Sequence, residues 1–158
     1  MVDCKSVSTS MDLNFKKLCG SVAGFELGNP TEYRQLIGAL MFLVNSRLDV
    51  CFVVNTLSQH MVDPRHIHWI GAKNLLRYLR GTINHGLRYT TGNLRLHGYT
   101  NANWVGSVVD HKSTSGCCFT LGSASISWMR RKWKVMALST AEAEYIVASM
   151  AFFEFVWL

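Results

Sequence analysis

The chain is short of charge and of long apolar runs, and each shortage excludes a class of protein. Only 16% of its 158 residues are charged and 49% are hydrophobic, a balance that favours one packed core, with room for a small helical annex, and argues against disorder. The longest apolar run, residues 36–44, falls well below the roughly 20 residues needed to cross a bilayer. The sequence therefore predicts a folded chain without a membrane partner.

The N-terminal residues do not resemble a secretory leader. The first ten residues contain one lysine, Lys5, but no apolar stretch of the kind that a signal peptide requires. We therefore expect an intracellular location.

Paired cysteine motifs are absent as well. The five cysteines, an odd number without C-x-x-C spacing, are Cys4, Cys19, Cys51, Cys117 and Cys118. This pattern argues against a disulfide framework and a zinc site, and it favours reduced, mostly buried thiols. Cys117 and Cys118 lie on opposite faces of a predicted strand, so at most one of them faces the core.

Acidic residues are outnumbered by basic ones. Sixteen Lys and Arg against ten Asp and Glu give a formal charge of +6, which attracts polyanions such as nucleic acid. The charge has a second interpretation as a determinant of solubility, and composition does not decide between the two.

The first half of the chain predicts helices. Asn29 and Pro30 provide a cap and a first turn for a helix that ends near Ser46. A second helix is predicted for residues 49–61, before Pro64. In a third, over residues 67–80, one face is apolar and a basic stripe lies beside it; the two sets are Trp69, Ala72, Leu76 and Leu79, and Lys73, Arg77 and Arg80.

The second half predicts strands and then a helix. Short alternating runs at residues 87–90 and 94–100, a hairpin of residues 117–121 and 125–129 around Gly122, and a further strand at 135–138 suit an antiparallel sheet. Ser139 and Glu142 form a capping box that opens an apolar helix reaching Leu158. The predicted class is therefore α+β, with an incompletely covered sheet.

Four motifs, in order, resemble copia-type retrotransposon Pol polyproteins downstream of their reverse transcriptase core: YRQLIGAL from Tyr33, LLRYLRGT from Leu75, KSTSG from Lys112 and LSTAEAEY from Leu138. The resemblance implies a lead-in segment at residues 1–28, a helical connection region at 29–82, and the N-terminal half of a ribonuclease-H-like domain at 86–158. That domain hydrolyses RNA in RNA–DNA hybrids, and its carboxylates hold two Mg²⁺ ions.

The residues that match the family's metal ligands are depleted. Asn101 and Asn103 stand where the family motif has aspartates, and Glu144 alone matches a catalytic glutamate. Further family aspartates follow the Trp-Leu pair that matches Trp157 and Leu158. Since an amide oxygen brings no negative charge, we expect no hydrolysis and no cofactor, with Mg²⁺ required only by the intact family domain.

Several other signals carry more than one interpretation. Aromatic and basic residues mix between Trp128 and Lys134, which suits nucleic-acid contact by Arg130, Arg131, Lys132 and Lys134. The alternative, a solvated turn at a hairpin end with Trp128 in the core, is slightly favoured. His66 and His68 lack a third metal ligand nearby in sequence, and a surface or capping role is the favoured one.

One four-residue string points elsewhere. Arg77, Tyr78, Leu79 and Arg80 match the RxLR pattern of secreted oomycete effectors, which act in host cells. The match is short and lies mid-chain, so its specificity is low. It leaves one alternative function, a secreted effector built from a retroelement-derived reading frame and acting on a host protein.

Overall fold

A computed structural model describes residues 4–12, 15, 25–92, 94–103, 114–132, 137 and 139–158. The chain divides into two compact units, Met1–Gly86 and Leu87–Leu158. Among the residues described, no helix is both long enough and apolar enough to span a membrane. Helices precede the strands, which confirms the predicted α+β class.

Helix α1 spans Pro30–Leu43 and begins where the sequence predicts. The side chain of Asn29 accepts a hydrogen bond from the backbone N–H of Glu32 at 3.4 Å and so caps the first turn. Tyr33, Ile37 and Leu40 lie one turn apart on the buried face. The helix ends a few residues before the predicted limit near Ser46.

The second predicted helix proved to be two elements. Residues Leu48–Val50 form a 3₁₀ turn, and helix α2 spans only Cys51–Ser58. Arg47 and Asp49 join side chains across this turn, with Nη2 of Arg47 2.7 Å from Oδ2 of Asp49. This ion pair stabilises the tight turn. Because the turn and α2 are separate elements, the prediction of one continuous helix over residues 49–61 was wrong.

Helix α3 spans His66–Gly81, and its buried face is rotated from the predicted one. The buried positions are His68, Gly71, Ala72 and Leu75, whereas Trp69 and Leu76 are only partly buried. Gly71 decides the orientation because a Cβ atom there would lie 2.3 Å from Cζ of Phe15. The ammonium of Lys73 lies 5.2 Å from the ring centre of Trp69, at the margin of the core.

The core of the first unit is formed by large apolar side chains from all three helices, including Ile37, Leu57 and Leu75, each with no exposed surface. The hydroxyl of Tyr33 donates to the backbone carbonyl of Leu57 at 2.8 Å. This bond satisfies the polar end of a fully buried ring and joins α1 to α2.

The second unit contains three antiparallel strands in the order β1-β2-β3, namely Leu96–Asn103, Thr114–Leu121 and Ala124–Lys132. The predicted hairpin of β2 and β3 is confirmed, and its turn contains Gly122 at φ 60°, which glycine adopts without steric cost. The predicted strand at residues 87–90 is absent. A side-chain hydrogen bond joins this segment to β3 instead: the hydroxyl of Tyr89 donates to the backbone carbonyl of Ser125 at 2.7 Å.

Helix α4 spans Thr140–Trp157. The Ser139 side chain accepts from the backbone N–H of Glu142 at 3.1 Å, as the capping prediction requires. The residues that α4 buries are small: Ala143, Val147 and Ala151. Ala137 is not in a strand, and the remainder of the strand predicted at residues 135–138 lies outside the described residues.

Candidate functional site

The two asparagines lie near the end of β1. In the register of β1 and β2, Asn101 pairs with Gly116 and Asn103 pairs with Thr114. Asn101 is exposed, and a Cβ atom placed on Gly116 would contact only the backbone oxygen of Met129, at 3.7 Å. Strand β2 therefore presents no side chain beside Asn101.

Glu144 lies in the first turn of α4 and is exposed. Within the described part of the chain, neither Asn101 nor Glu144 has a side-chain hydrogen bond or an ion pair. No group of three or more His, Cys, Asp or Glu side chains is positioned to hold a metal ion among those same residues. The three positions thus provide one carboxylate and two neutral amides.

The register also assigns residues to the two faces of the sheet. Cys117 and Met129 form a cross-strand pair and line a small space together with Val147 and Met150 of α4. Because successive side chains alternate between faces, Cys118 and its pairing partners belong to the opposite face. Those partners are Tyr99 on β1 and Trp128 on β3.

We call this opposite face the outer sheet face. Two adjacent cross-strand rows on it consist of Tyr99, Cys118 and Trp128, and of Asn101, Gly116 and Arg130. Tyr99 is 62% exposed, and Cys118, Trp128 and Arg130 are partly buried. Small residues of β2 therefore lie between aromatic, amide and guanidinium groups.

The charges of the second unit are segregated. Its described acidic residues are Glu142, Glu144 and Glu154, and all three lie on α4. The outer sheet face has no acidic residue at its register positions, whereas Arg130 belongs to it. At the described register positions of the three strands, this face therefore presents no carboxylate to an approaching anion.

Only part of the predicted basic cluster can be placed. Arg130 is partly buried in β3. Arg131 and Lys132 pair through their backbones with Ser115 and Thr114, and Lys134 lies outside the described residues. The cluster is therefore the end of a strand rather than the tip of the hairpin, which lies at Gly122.

The two histidines of α3 differ in their surroundings. His66 is exposed, but His68 is buried, with 3% of its surface exposed. Nδ1 of His68 accepts from the backbone N–H of Arg65 at 3.0 Å, which is a capping role. Its ring stacks on His60 with centroids 3.9 Å apart. Burial, together with the charges of His60 and Arg65, lowers the pKa of His68 to about 4.

The paired cysteines lie on different faces, as their spacing predicts. Burial, with a smaller effect of Glu154, raises the pKa of the Cys117 thiol. A raised pKa favours the protonated, unreactive form. None of the described cysteines, Cys4, Cys51, Cys117 and Cys118, is part of a disulfide.

The RxLR-like string is part of the packing of α3. Nε of Arg77 donates to the carbonyl of Lys5 at 2.8 Å, and Nη1 of Arg80 donates to the carbonyl of Cys4. The hydroxyl of Tyr78 donates to Asp49 at 2.9 Å. These side chains therefore hold the N-terminal segment and the 3₁₀ turn against the helix.

No protein-family model matches the chain. No solved structure matches it either. The chain is 40% identical over 159 positions to the Pol polyprotein of transposon RE2 from Arabidopsis thaliana, covering all of this chain and 11% of that protein. It is 37% identical over 164 positions to the corresponding protein of transposon TNT 1-94 from Nicotiana tabacum, of which it covers 12%.

A much shorter protein is similar as well. Secreted RxLR effector protein 161 of Plasmopara viticola is 42% identical over 128 positions, which cover 80% of this chain and 90% of the effector.

These similarities agree with an α+β chain whose motifs follow the order of a retroelement polyprotein. The chain belongs to the family of Pol polyproteins of copia-type retrotransposons. It is retroelement-derived and spans about one ninth of the length of the first such relatives.

The sequence analysis missed Tyr99 and gave no role to Cys118 beyond its place on one face. Alternation along β1 places Tyr99 beside Asn101, but only the pairing of three strands places both near Trp128 and Arg130.

Proposed function

We propose that this chain is a catalytically inactive, ribonuclease-H-like retroelement fragment that binds nucleic acid weakly. The observation that carries the proposal is the pair of amides on β1, Asn101 and Asn103, where the family motif has aspartates. The rest of the argument concerns what these amides do to metal binding and to anion binding.

Hydrolysis by this family requires two divalent cations held close together, which supply the activated water and stabilise the leaving oxygen. Mg²⁺ takes anionic oxygen ligands and gives up its own water reluctantly. Asn101 and Asn103 offer neutral oxygens, and Glu144 is exposed on α4 without a second carboxylate at a family position. These residues do not fit a two-metal centre, so the proposal includes no metal-dependent step.

Cleavage of a labelled RNA–DNA hybrid tests this part of the proposal. We expect no turnover by the purified chain in Mg²⁺ or Mn²⁺. The double variant Asn101→Asp/Asn103→Asp is expected to bind Mn²⁺ more tightly, as read by electron paramagnetic resonance, because two negative charges are restored. Turnover that follows the purified chain and disappears in Glu144→Gln would contradict inactivity.

Weak binding of nucleic acid is supported by the formal charge of +6 and by the absence of acidic residues from the described strand positions of the outer sheet face. Phosphate contacts by Lys and Arg release counterions, so the affinity should fall steeply as salt is raised. Joint replacement of Arg130, Arg131, Lys132 and Lys134 by alanine should remove most of the binding.

The matched control replaces Arg88 and Arg95, two exposed cations of the same unit. If both sets of replacements weaken binding in proportion to the charge removed, the proposed location at the end of β3 is wrong. If the affinity of the parent chain does not depend on salt, binding through phosphates is wrong.

A second candidate function, a secreted effector, is favoured by the similarity to effector protein 161 over 90% of its length. An aligned stretch covering 80% of this chain must include residues 77–80, wherever it starts. The contacts of Arg77 and Arg80 to backbone carbonyls supply a structural reason for these arginines, so the string itself adds little support.

Mass spectrometry of separated cells, culture medium and infected host tissue distinguishes the two candidates. Peptides of this chain found outside the producing cell would favour the effector. Confinement to the cell pellet would favour the inactive retroelement fragment.

A further inference from the structure

The outer sheet face combines two aromatic rings, an amide and a guanidinium in adjacent cross-strand rows. Neighbouring strands lie about 4.8 Å apart, so Tyr99 and Trp128, with Cys118 between them, are separated by roughly 10 Å. Cys118 and Gly116 are small, and they make β2 the floor of a shallow trough between β1 and β3.

We propose that this trough is a binding site for single-stranded nucleic acid, with bases stacking on Tyr99 and Trp128 and a phosphate held by Arg130. The inference rests on the proposed nucleic-acid binding and names the form of nucleic acid that this site takes.

Stacking is the step that selects single strands. Bases within a duplex present their ring faces to one another, so an aromatic side chain reaches those faces only when the bases are unpaired. Every base has such a face, which makes the contact tolerant of sequence. A hybrid duplex offers this site only its backbone. Since Arg130 is the one described cation of the two rows, it is the group there that contacts the phosphates of a duplex.

Asn101 has a defined place in the site because it lies in the same row as Arg130 and next to Tyr99 along β1. Its side chain offers hydrogen-bond donors and an acceptor to a base edge without adding charge. An aspartate at this position would place a negative charge beside the bound phosphates. Having asparagine instead of aspartate at position 101 therefore takes away a metal ligand and also avoids repulsion between a carboxylate and the bound phosphates.

The acidic residues of α4 are consistent with this arrangement. Glu142, Glu144 and Glu154 belong to the helix that packs on the other face of the sheet, where Glu154 accepts a hydrogen bond from Ser127 at 2.8 Å. A polyanion bound in the trough is thus separated from these carboxylates by the sheet itself.

Fluorescence anisotropy with labelled oligonucleotides of about 12 nucleotides, as single strands and as an RNA–DNA hybrid, tests the inference on the full chain. We expect tighter binding of the single strands. Tyr99→Ala and Trp128→Ala should each weaken that binding between about fivefold and a hundredfold, the range found when a stacked base loses its aromatic partner. Tyr99→Phe and Trp128→Phe should retain it.

Two further variants address charge. Asn101→Asp is nearly isosteric and should weaken single-strand binding, whereas Arg130→Ala should also reduce the slope of log affinity against log salt by about one. Tyr145→Ala is the matched control because this tyrosine is 79% exposed on α4 and lies outside the trough. Hydrogen exchange of the strands confirms that each variant is folded.

The outcomes separate the two proposals. Equal or tighter binding of the hybrid, unchanged by Tyr99→Ala and Trp128→Ala but weakened by Arg130→Ala, would overturn the single-strand site and leave weak nucleic-acid binding standing. Failure of every nucleic acid to bind would overturn both proposals. Binding that is retained by Tyr99→Phe and Trp128→Phe but lost in the alanine variants supports the trough.

Discussion

The helical unit, residues 1–86, encloses large side chains, whereas the sheet unit, residues 87–158, is packed by a helix that contributes small ones. Tyr33, Ile37 and Leu57 have no exposed surface in the first unit. In the second, α4 turns Ala143, Val147 and Ala151 inward and leaves Phe152, Phe153 and Trp157 at least 64% exposed. A helix can therefore be apolar on all sides without revealing which side it buries.

The units also differ in how polar groups are used. In the helical unit, Arg47 binds the buried side chain of Thr82, and Tyr78 binds the exposed carboxylate of Asp49, so both side chains join segments that are distant along the chain. In the sheet unit, the register places Tyr99, Trp128 and Arg130 on one face of three strands, where Tyr99 is 62% exposed and the other two are partly buried. Polar groups therefore join segments that are distant along the chain in the first unit, and in the second they share a sheet face.

The largest expected effect is the loss of a core side chain from the helical unit. Leu57→Ala should destabilise that unit by about 2–5 kcal/mol, through lost burial and the cavity left behind. Hydrogen exchange read by mass spectrometry should show the loss in peptides of residues 1–86 and not in peptides of residues 87–158. Val62→Ala, at a position 89% exposed, is the control, and equal losses in both units would contradict their separate description.

Acid should weaken the helical unit through His68. Its pKa is lowered to about 4 in the folded state, from an ordinary value of 6.5, so the unfolded chain takes up a proton first as pH falls. Stability is therefore complete above pH 6.5 and decreases between pH 6.5 and about 4, by on the order of 3 kcal/mol.

Chemical denaturation at several pH values, followed in peptides of residues 1–86, measures this effect. In the variant His68→Asn, stability should depend on pH much less between pH 6.5 and about 4. The variant His66→Asn, at an exposed position, should keep the pH dependence of the parent chain. If the free energy of unfolding of His68→Asn still falls as pH is lowered through this range, the effect belongs to another group.

The ion pair between Arg47 and Asp49 should make stability depend on pH in a more acidic range. Hydrogen bonds from Arg47 and Tyr78 lower the pKa of Asp49 to about 2, so its contribution is present above an unfolded value near 3.8 and is lost as pH falls towards 2. After allowance for the exposure of Asp49, Arg47→Gln should cost about 1–2 kcal/mol at neutral pH.

Denaturation at pH 7 and near pH 2 tests that dependence, because the difference between the parent chain and Arg47→Gln should shrink in acid. Arg88→Gln, at an exposed arginine of the sheet unit, is the control and should change the stability of the helical unit little. A constant difference across this range would refute the role of Asp49.

The two helix caps allow a direct comparison of the units. Asn29→Ala and Ser139→Ala each remove an acceptor for a first-turn N–H and should each cost about 1 kcal/mol. The loss of exchange protection should appear at α1 in the first variant and at α4 in the second. Ser149→Ala, an exposed serine within α4, should be nearly neutral, and a cost matching that of Ser139→Ala would argue against capping.

The smallest effect on stability is expected at the exposed face of α4. Phe152→Ser should change the free energy of unfolding by no more than about 0.5 kcal/mol, since this ring is 64% exposed. It should also reduce concentration-dependent association in sedimentation velocity, because exposed apolar patches promote contact. A large destabilisation would show that the ring packs against the fold.

Sequence patterns predicted most elements wherever a local signal was strong. Asn29 with Pro30, Ser139 with Glu142, and Gly122 between two alternating runs each mark a boundary through a hydrogen bond or a backbone angle that depends on a few neighbouring residues. The segment 87–90 shows the opposite case. Its alternation suits a strand, yet Tyr89 and Thr90 are bound by the hairpin turn instead.

By itself, the sequence determined the α+β class and the family, because these depend on local order and on side-chain chemistry. Tertiary structure alone decided that Gly71 turns α3 towards Phe15 and that α4 buries alanines. It also decided that Tyr99, Trp128, Asn101 and Arg130 share one face of the sheet. Such neighbours lie far apart along the chain, and only strand pairing and packing bring them together.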